Sequence, residues 1–242
     1  MLNLDKQEAQ KDLSSYIGRI LRDNFGRGPE SVFVSIKKPF ISVYIRNFLS
    51  PMEKVLLTEH QETVVQTTRD ILMATLIPEI KAYIRIVADM EIEQFYYDWG
   101  LHNHSGMFFA IASDKTDIDK LLHEDFFGKD ALHKEIDHIG QQAEKTPEKV
   151  FSIKLNDRTY AVIRRGLFIT IERELIRMGQ QEVLKLAKRR IEKRLLHNNM
   201  RLESILDGKI DDSFVDWDFE RDQSVILFSV NPNQPGGNEL DK

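Results

Sequence analysis

Hydrophobic residues in the first part of the chain change from helical spacing to strict alternation. Near the N-terminus they recur every three or four residues, which predicts a helix with one buried face formed by Leu13, Ile17, Ile20 and Leu21. Apolar and polar residues then alternate through 32–36 and again through 41–45. This alternation predicts two strands, and Lys37-Lys38-Pro39 between them indicates a tight hairpin connection.

A long helical pattern follows over 51–88. Its start, Ser50-Pro51-Met52-Glu53, supplies an N-cap serine, a proline at the first helical position and the glutamate of a capping box. Pro78 lies inside the pattern and predicts a kink or a break in the helix. A second hairpin, with strands at 93–99 and 107–112, closes this unit of the chain.

The same order of elements returns about 118 residues later. Three separate segments share this offset: 28–33 with 146–151, 43–46 with 161–164, and Tyr97-Asp98-Trp99 with Val215-Asp216-Trp217. A common offset across separate segments indicates an internal duplication. We therefore predict an α+β protein of two tandem α-β-β-α-β-β units, each an antiparallel sheet with helices packed on one face, related as a pseudo-two-fold duplication. The second long helix, 170–201, contains no proline, and we expect it to be straighter than the first.

These patterns divide the chain into four segments. The first unit is predicted over 1–113 and the second, diverged unit over 128–231. An acidic linker over 114–127 joins them. The tail, 232–242, is rich in proline and glycine, and we expect it to be disordered.

Composition narrows the classes of function. The chain has no cysteine, which excludes disulfides, thiolate nucleophiles and cysteine-based metal sites. Its net charge of −5 argues against a dedicated nucleic-acid binder. We find no signal peptide or membrane-spanning apolar run, and we expect a soluble cytoplasmic protein. No nucleophile–base motif is present, so no catalytic residue or cofactor is assigned and a non-enzymatic role is favoured.

Two segments of the first unit carry a resemblance to a known family. A glycine–basic–glycine–proline turn at 25–29 is followed, after a hairpin, by the leucine–serine–proline–x–glutamate helix start at 48–54. This combination resembles the small bacterial MpsC-like domain, formerly a domain of unknown function. The second unit resembles it only loosely, since it has Lys145-Thr146-Pro147 at the turn and 168–172 differs from the helix start.

The resemblance implies an accessory role and a protein partner. The family is associated with a membrane system for cation and bicarbonate uptake, which implies a location peripheral to the membrane. No catalytic residue carries over from the family. Because its members usually have one domain per chain, the tandem is expected to mimic a homodimer, and both a monomeric pseudo-dimer and a true homodimer remain open.

The turn of the first unit is a candidate anion site. Arg27, the backbone at Gly28 and Arg46 are the groups that would bind bicarbonate or phosphate. The alternative, which the sequence favours, is a plain helix stop with an arginine in solvent. Arg46 and Arg164 are also positioned to pair with aspartates across the sheet. A third hypothesis is an enzyme that acts on a small anion beside Arg27 and Arg46.

The helix over 170–201 is a candidate basic surface. It has nine basic and four acidic residues, whereas the corresponding helix of the first unit has four and five. The candidates for binding nucleic acid or an anionic lipid are Lys185, Lys188, Arg189, Arg190, Lys193 and Arg194. The alternatives are a solvated face and docking against the linker and the first unit.

Two further patterns have a structural explanation. His102 and His104 offer two metal ligands without a third, so we assign no metal site. The repeated Asp-Trp pairs, 98–99 and 216–217, are expected to pack helices onto the sheets.

Overall fold

A computed structural model describes residues 2–113, 121–143 and 145–233 of the chain. Much of the predicted linker, 114–120, and most of the predicted tail, 234–242, lie outside the described residues. The segment boundaries stay predictions.

The first unit has the predicted order of elements, with its second helical segment in two parts. Its elements are α1 Leu2–Phe25, β1 Ser31–Lys37, β2 Phe40–Arg46, α2 Pro51–Thr58, α3 Glu62–Ala88, β3 Ile92–Gly100 and β4 Ser105–Ala112. The strands form an antiparallel sheet in the order β1-β2-β4-β3.

The second unit repeats this arrangement. Its elements are α4 Lys129–Ala143, β5 Lys149–Asn156, β6 Thr159–Arg165, α5 Thr170–Arg177, α6 Gln181–His197, α7 Arg201–Ile205, β7 Gly208–Asp218 and β8 Gln223–Pro232. Their antiparallel sheet has the matching order β5-β6-β8-β7. The predicted α+β fold of two tandem units is confirmed.

The prediction of one long helix per unit is wrong, because each is divided near its start. In the first unit, His60 has a φ of 54° and the Gln61 amide donates to the Leu56 carbonyl at 2.8 Å. In the second, Gly179 has a φ of 73° and the Gln180 amide makes the matching bond to Leu175 at 2.9 Å. A left-handed residue with this bond ends a helix. Pro78, the expected breakpoint, lies inside α3.

Each sheet packs against other parts of the protein on both of its faces. Along β4, alternate residues such as Phe108 and Ala110 pack with the helices of the first unit. The intervening Met107 and Phe109 pack instead with residues of the other sheet, including Leu227. The two sheets therefore lie face to face, with helices outside each. Among the described residues, no helix combines the length and apolarity needed to cross a bilayer.

One extra residue in β5 shifts the repeat by one residue, and the shift begins at β6. Ser31 pairs with Arg46 in the first unit, and the corresponding Lys149 pairs with Arg165. The shift lies at the register irregularity between Lys154 and Asn156. The counterpart of Arg46 is therefore Arg165, which corrects the offset of 118 to 119 from β6 through α6. Arg164 occupies the place of Ile45.

Candidate functional site

The repeated aspartates meet where β3 and β7 approach each other. Asp98 Oδ2 accepts a hydrogen bond from the Val215 amide at 3.0 Å, and Asp216 Oδ2 accepts one from the Tyr97 amide at 2.8 Å. Each aspartate therefore accepts a hydrogen bond from the residue that precedes the other aspartate, as an approximate two-fold axis requires. Both aspartates are almost fully buried. We call this boundary between the units the seam.

The basic helix α6 lies along the seam and supplies cations to these carboxylates. Lys185 Nζ is 2.7 Å from Asp216 Oδ1, and Lys193 Nζ is 2.8 Å from Asp98 Oδ2. Lys193 Nζ also donates to the Trp99 carbonyl at 2.6 Å. Three of these five residues belong to the second unit and two to the first, so α6 joins the two halves of the molecule.

Arg189 connects the seam to helix α3 of the first unit. Its Nε lies 3.0 Å from Asp98 Oδ1, and its Nη1 donates to Asp70 Oδ2 at 3.1 Å. Only 1% of the Arg189 side chain is exposed. Burial works against the charged form, but the charges of Asp98 and Asp70 raise the pKa of Arg189 above its ordinary value. The guanidinium therefore stays ionised inside the protein.

A second pair of charges is repeated inside each unit. Arg69 Nε donates to Glu53 Oε1 at 2.7 Å in the first unit, and Lys188 Nζ donates to Glu172 Oε1 at 2.6 Å in the second. Both glutamates also accept a hydrogen bond from the backbone amide at the start of a helix. Both cations lie over the tryptophan of their own unit.

The pKa of Glu53 reflects this arrangement. Burial alone raises the pKa of Glu53, but hydrogen bonds and charge from Arg69, together with the Ser50 amide, hold it below the ordinary value. The carboxylate is therefore ionised near neutral pH. These pairs hold the helix starts against the sheets and leave the tryptophans enclosed.

The six candidate residues of the basic surface on 170–201 differ in their exposure. Lys188 and Arg189 are 2% and 1% exposed, and Lys185 and Lys193 bind carboxylates at the seam. Arg190 and Arg194 are exposed. Of the interpretations left open by the sequence, docking of this helix against the first unit is the one that the contacts support.

The predicted anion site lies apart from the seam. Arg27 is exposed, and the Arg46 guanidinium forms an ion pair with Glu30, which also accepts from Asn47 at 2.9 Å. A side chain at Gly28 would contact Arg22. Arg46 does not pair with the seam aspartates. Anion binding at this turn stays a prediction.

The two histidines of the β3–β4 loop have different surroundings. His102 Nε2 lies 3.7 Å from Asp212 Oδ1, and the ring is 6.0 Å from that of His197. Burial lowers the pKa of His102, against the opposing charge of Asp212. His104 has a φ of 53° and its carbonyl accepts from Phe48. Within the described ranges, no group of three or more His, Asp or Glu side chains is arranged to hold a metal ion.

A cleft of about 650 Å³ opens beside His102 and His197, between the β3–β4 loop and α6. Its buried carboxylate, Asp212, accepts from Asn103 Nδ2 at 2.9 Å and from the Tyr44 hydroxyl at 3.2 Å. Burial and the Asp212 charge raise the pKa of Tyr44, so the hydroxyl stays protonated and keeps donating. The hydrogen bond from Asn103 to Asp212 holds the β3–β4 loop against β7.

The sequence analysis did not identify Asp70 and Glu53 as partners of the buried cations Arg189 and Arg69. One signal was present: Asp70 and Arg189 are separated by 119 residues, so opposite charges occupy equivalent positions of the two units. In a duplicated fold with a two-fold axis, equivalent positions near the axis face each other. Their opposite charges indicate a contact between the units.

The first unit matches a known protein-family model. Residues 5–114 match the family model described as "Na+-translocating membrane potential-generating system (MpsC)". The matched segment covers almost the whole first unit and confirms the resemblance found there. Neither the curated proteins nor the solved structures give a match to this chain.

Proposed function

We propose that this protein is a non-catalytic accessory component that binds a membrane protein of a cation-translocating system, because its first unit matches the MpsC family model. The family description names a Na+-translocating system that generates a membrane potential. In the proposal, the first unit contacts the partner and the second unit is its scaffold. Cation and bicarbonate uptake is the process that the partner carries out.

One surface of the first unit carries this proposal. Helices α2 and α3 expose five large apolar side chains, of which Ile86 lies near the C-terminal end of α3. The other four are 76%, 63%, 44% and 62% accessible: Met52, Val55, Val64 and Ile71. Met52 and Val55 are three residues apart, and Val64 and Ile71 are seven apart, so each pair lies on one side of its helix. We call these four residues the apolar face. Exposed apolar groups of this kind mark protein-binding surfaces.

The second unit shows that the fold does not require this surface to be apolar. At the offset of 119 residues, Ile171 and Val183 replace Met52 and Val64 and remain exposed. The other two counterparts are charged, Glu174 in place of Val55 and Arg190 in place of Ile71, and both are exposed. The complete apolar set is therefore specific to the first unit, which is the unit that matches the family.

The test is affinity purification from membranes of the native cell. Wild-type chain is expected to recover an integral membrane protein of a cation-translocating system. A double variant, Val55→Glu with Ile71→Arg, copies the charges of the second unit onto the first and is expected to lose that protein. Both positions are exposed, so the variant should unfold at the wild-type temperature.

The matched control places charges on the second unit. Ile171→Glu with Val183→Glu alters equally exposed positions and is expected to recover the membrane protein as wild type does. Equal recovery by all three chains would remove the apolar face from the proposal. Recovery of no cation-translocating protein by the wild-type chain would overturn the proposed function itself.

A further inference from the structure

The seam contains a balanced set of charges drawn unequally from the two units. The first unit supplies two carboxylates, and the second supplies one carboxylate and three cations. The six residues are Asp70, Asp98, Asp216, Lys185, Arg189 and Lys193. Each carboxylate lies within 3.1 Å of a cation. No charge of this set is left without a partner of opposite sign.

The contact between Asp70 and Arg189 lies at the approximate two-fold axis. The offset of 119 residues that relates them also relates Glu53 to Glu172 and Arg69 to Lys188, the charge pairs inside the two units. Asp70 and Arg189 are therefore equivalent positions that face each other. If two copies of the same unit met at this surface, each of these residues would face an identical charge.

Two copies of the first unit would assemble an acidic seam. At the offset of 119, the positions of Lys185, Arg189 and Lys193 are Gln66, Asp70 and Ala74 in the first unit. None of these three is a cation. Such a seam would hold two copies of Asp70 and two of Asp98 without the lysines and the arginine that now neutralise them. Buried carboxylates without counter-charges are strongly destabilising.

Two copies of the second unit would assemble a seam with the opposite excess. Lys185, Arg189 and Lys193 would each appear twice, against two copies of Asp216. The excess of cations would face one another across the axis. Only the pairing of unlike units gives three negative and three positive charges.

We propose that the seam is a charge code that accepts only the unlike unit as its partner. The code selects by repulsion between like units as well as by attraction between unlike ones. A second copy of this chain joins the first through this surface only by exchanging units, so that every seam still contains one unit of each kind. The code is independent of the partner that the apolar face binds.

The test uses two full-length variants with opposite defects. Asp70→Arg leaves two carboxylates and four cations at the seam, and Arg189→Asp leaves four carboxylates and two cations. Each variant alone is expected to unfold about 10 °C or more below wild type, because a buried charge pair is replaced by like charges. When the two variants are refolded together, exchange of units restores balance in both seams, because one seam then combines the two substitutions and the other contains neither. A stable complex of twice the chain mass is expected by light scattering.

Two control variants keep the test decisive. Asp70→Asn removes the charge without reversing it and should unfold at a higher temperature than Asp70→Arg. The double variant Asp70→Arg with Arg189→Asp balances the seam within one chain and is expected to recover part of the lost stability as a monomer. Its recovery is partial because the carboxylate introduced at position 189 would lie near Asp98. A mixture that forms no complex, or equal unfolding temperatures for Asp70→Arg and Asp70→Asn, would overturn the proposal.

Discussion

The two units fill one pair of equivalent core positions with opposite chemistry. In the first unit these positions are Ile45 and Met73, both buried among apolar side chains. In the second unit they are Arg164 and Glu192, which form an ion pair at 2.6 Å with 2% and 3% of their side chains exposed. One backbone arrangement therefore accepts either pair. The fold therefore does not need charged residues at these two positions. Once one of them is charged, however, the buried charge needs its partner of opposite sign.

The largest effect is expected from breaking the buried pair of the second unit. Arg164→Leu removes the cation and leaves Glu192 enclosed without its counter-charge. Loss of one partner of a buried ion pair costs about 3–5 kcal/mol. We expect the free energy of unfolding, measured by urea titration, to fall by about that amount.

The double variant Arg164→Ile with Glu192→Met sharpens this result, since it installs the residues of the first unit. Replacement of a buried ion pair by apolar residues is often neutral, or stabilising by about 1–4 kcal/mol. We expect it to recover most of the stability lost in Arg164→Leu. A double variant as unstable as Arg164→Leu would show that the equivalence of the two core positions is wrong.

The pairs at the helix starts give a second comparison, with Arg69 in one unit and Lys188 in the other. Arg69 makes three side-chain hydrogen bonds, two to Glu53 and one to the Phe48 carbonyl. A lysine cannot reproduce this fork of donors. We expect Arg69→Lys to lower the free energy of unfolding by about 1–3 kcal/mol, because bonds to buried groups are lost.

Lys188→Arg is the matched change in the second unit. If lysine suffices there because its surroundings differ, this variant should gain little or nothing in the same urea titration. A gain as large as the loss in Arg69→Lys would show that the two sites are interchangeable.

The two units also differ at position 106, where the first unit has a glycine. A Cβ atom built on Gly106 would overlap the Trp99 ring at Cε3 and Cζ3. The equivalent residue in the second unit is Ser224, whose hydroxyl accepts from Arg164 Nε at 2.8 Å. We expect Gly106→Ala to cost about 1–3 kcal/mol through overpacking of a buried ring.

The contrasting change, Ser224→Ala, should cost about 1 kcal/mol, the worth of one hydrogen bond. Urea titration of both variants measures the difference. Equal losses would contradict the account of the crowded tryptophan.

Acid should weaken the first unit through Glu53. Its pKa is lowered by folding, so the stabilisation that it gives is complete above the ordinary value of 4.5 and is lost as pH falls through the lower folded pKa. We expect Glu53→Gln to be less stable than wild type at neutral pH and to lose less stability between pH 5 and pH 3. Urea titrations across this range give the comparison, and parallel slopes for the two chains would contradict it.

Sequence patterns predicted the element order well because hydrophobic spacing reports which face of an element is buried. The division of each long helix was missed because His60 and Gly179 end a helix through left-handed backbone, while apolar spacing continues past them. Pro78 was overrated as a breakpoint. A bulge in one strand also shifted the repeat by one residue, and this shift made Arg164 look equivalent to Arg46.

The charge network was harder to predict because it depends on distances between units. Asp98 and Asp216 were visible as a repeat, but their partners lie on helix α6 and were counted as a basic surface. Composition cannot distinguish a buried lysine from an exposed one. Once the register of β6 sets the offset at 119 residues, the opposite charges of Asp70 and Arg189 at equivalent positions indicate the seam.

The smallest effect is expected at Arg46, which contrasts with Arg164 in the second unit. The Arg46 side chain is 55% exposed, and its ion pair with Glu30 lies in solvent. Exposed pairs are screened and contribute little to stability. Arg46→Ala should therefore leave the urea midpoint unchanged.

The same variant tests the predicted anion site at Arg27, Gly28 and Arg46, because bicarbonate should shift the Gly28 amide resonance in wild type and not in Arg46→Ala. An unchanged resonance in wild type would remove bicarbonate from that turn and leave Arg46 as a solvent-facing ion pair, while Arg164 would still be required by its buried partner.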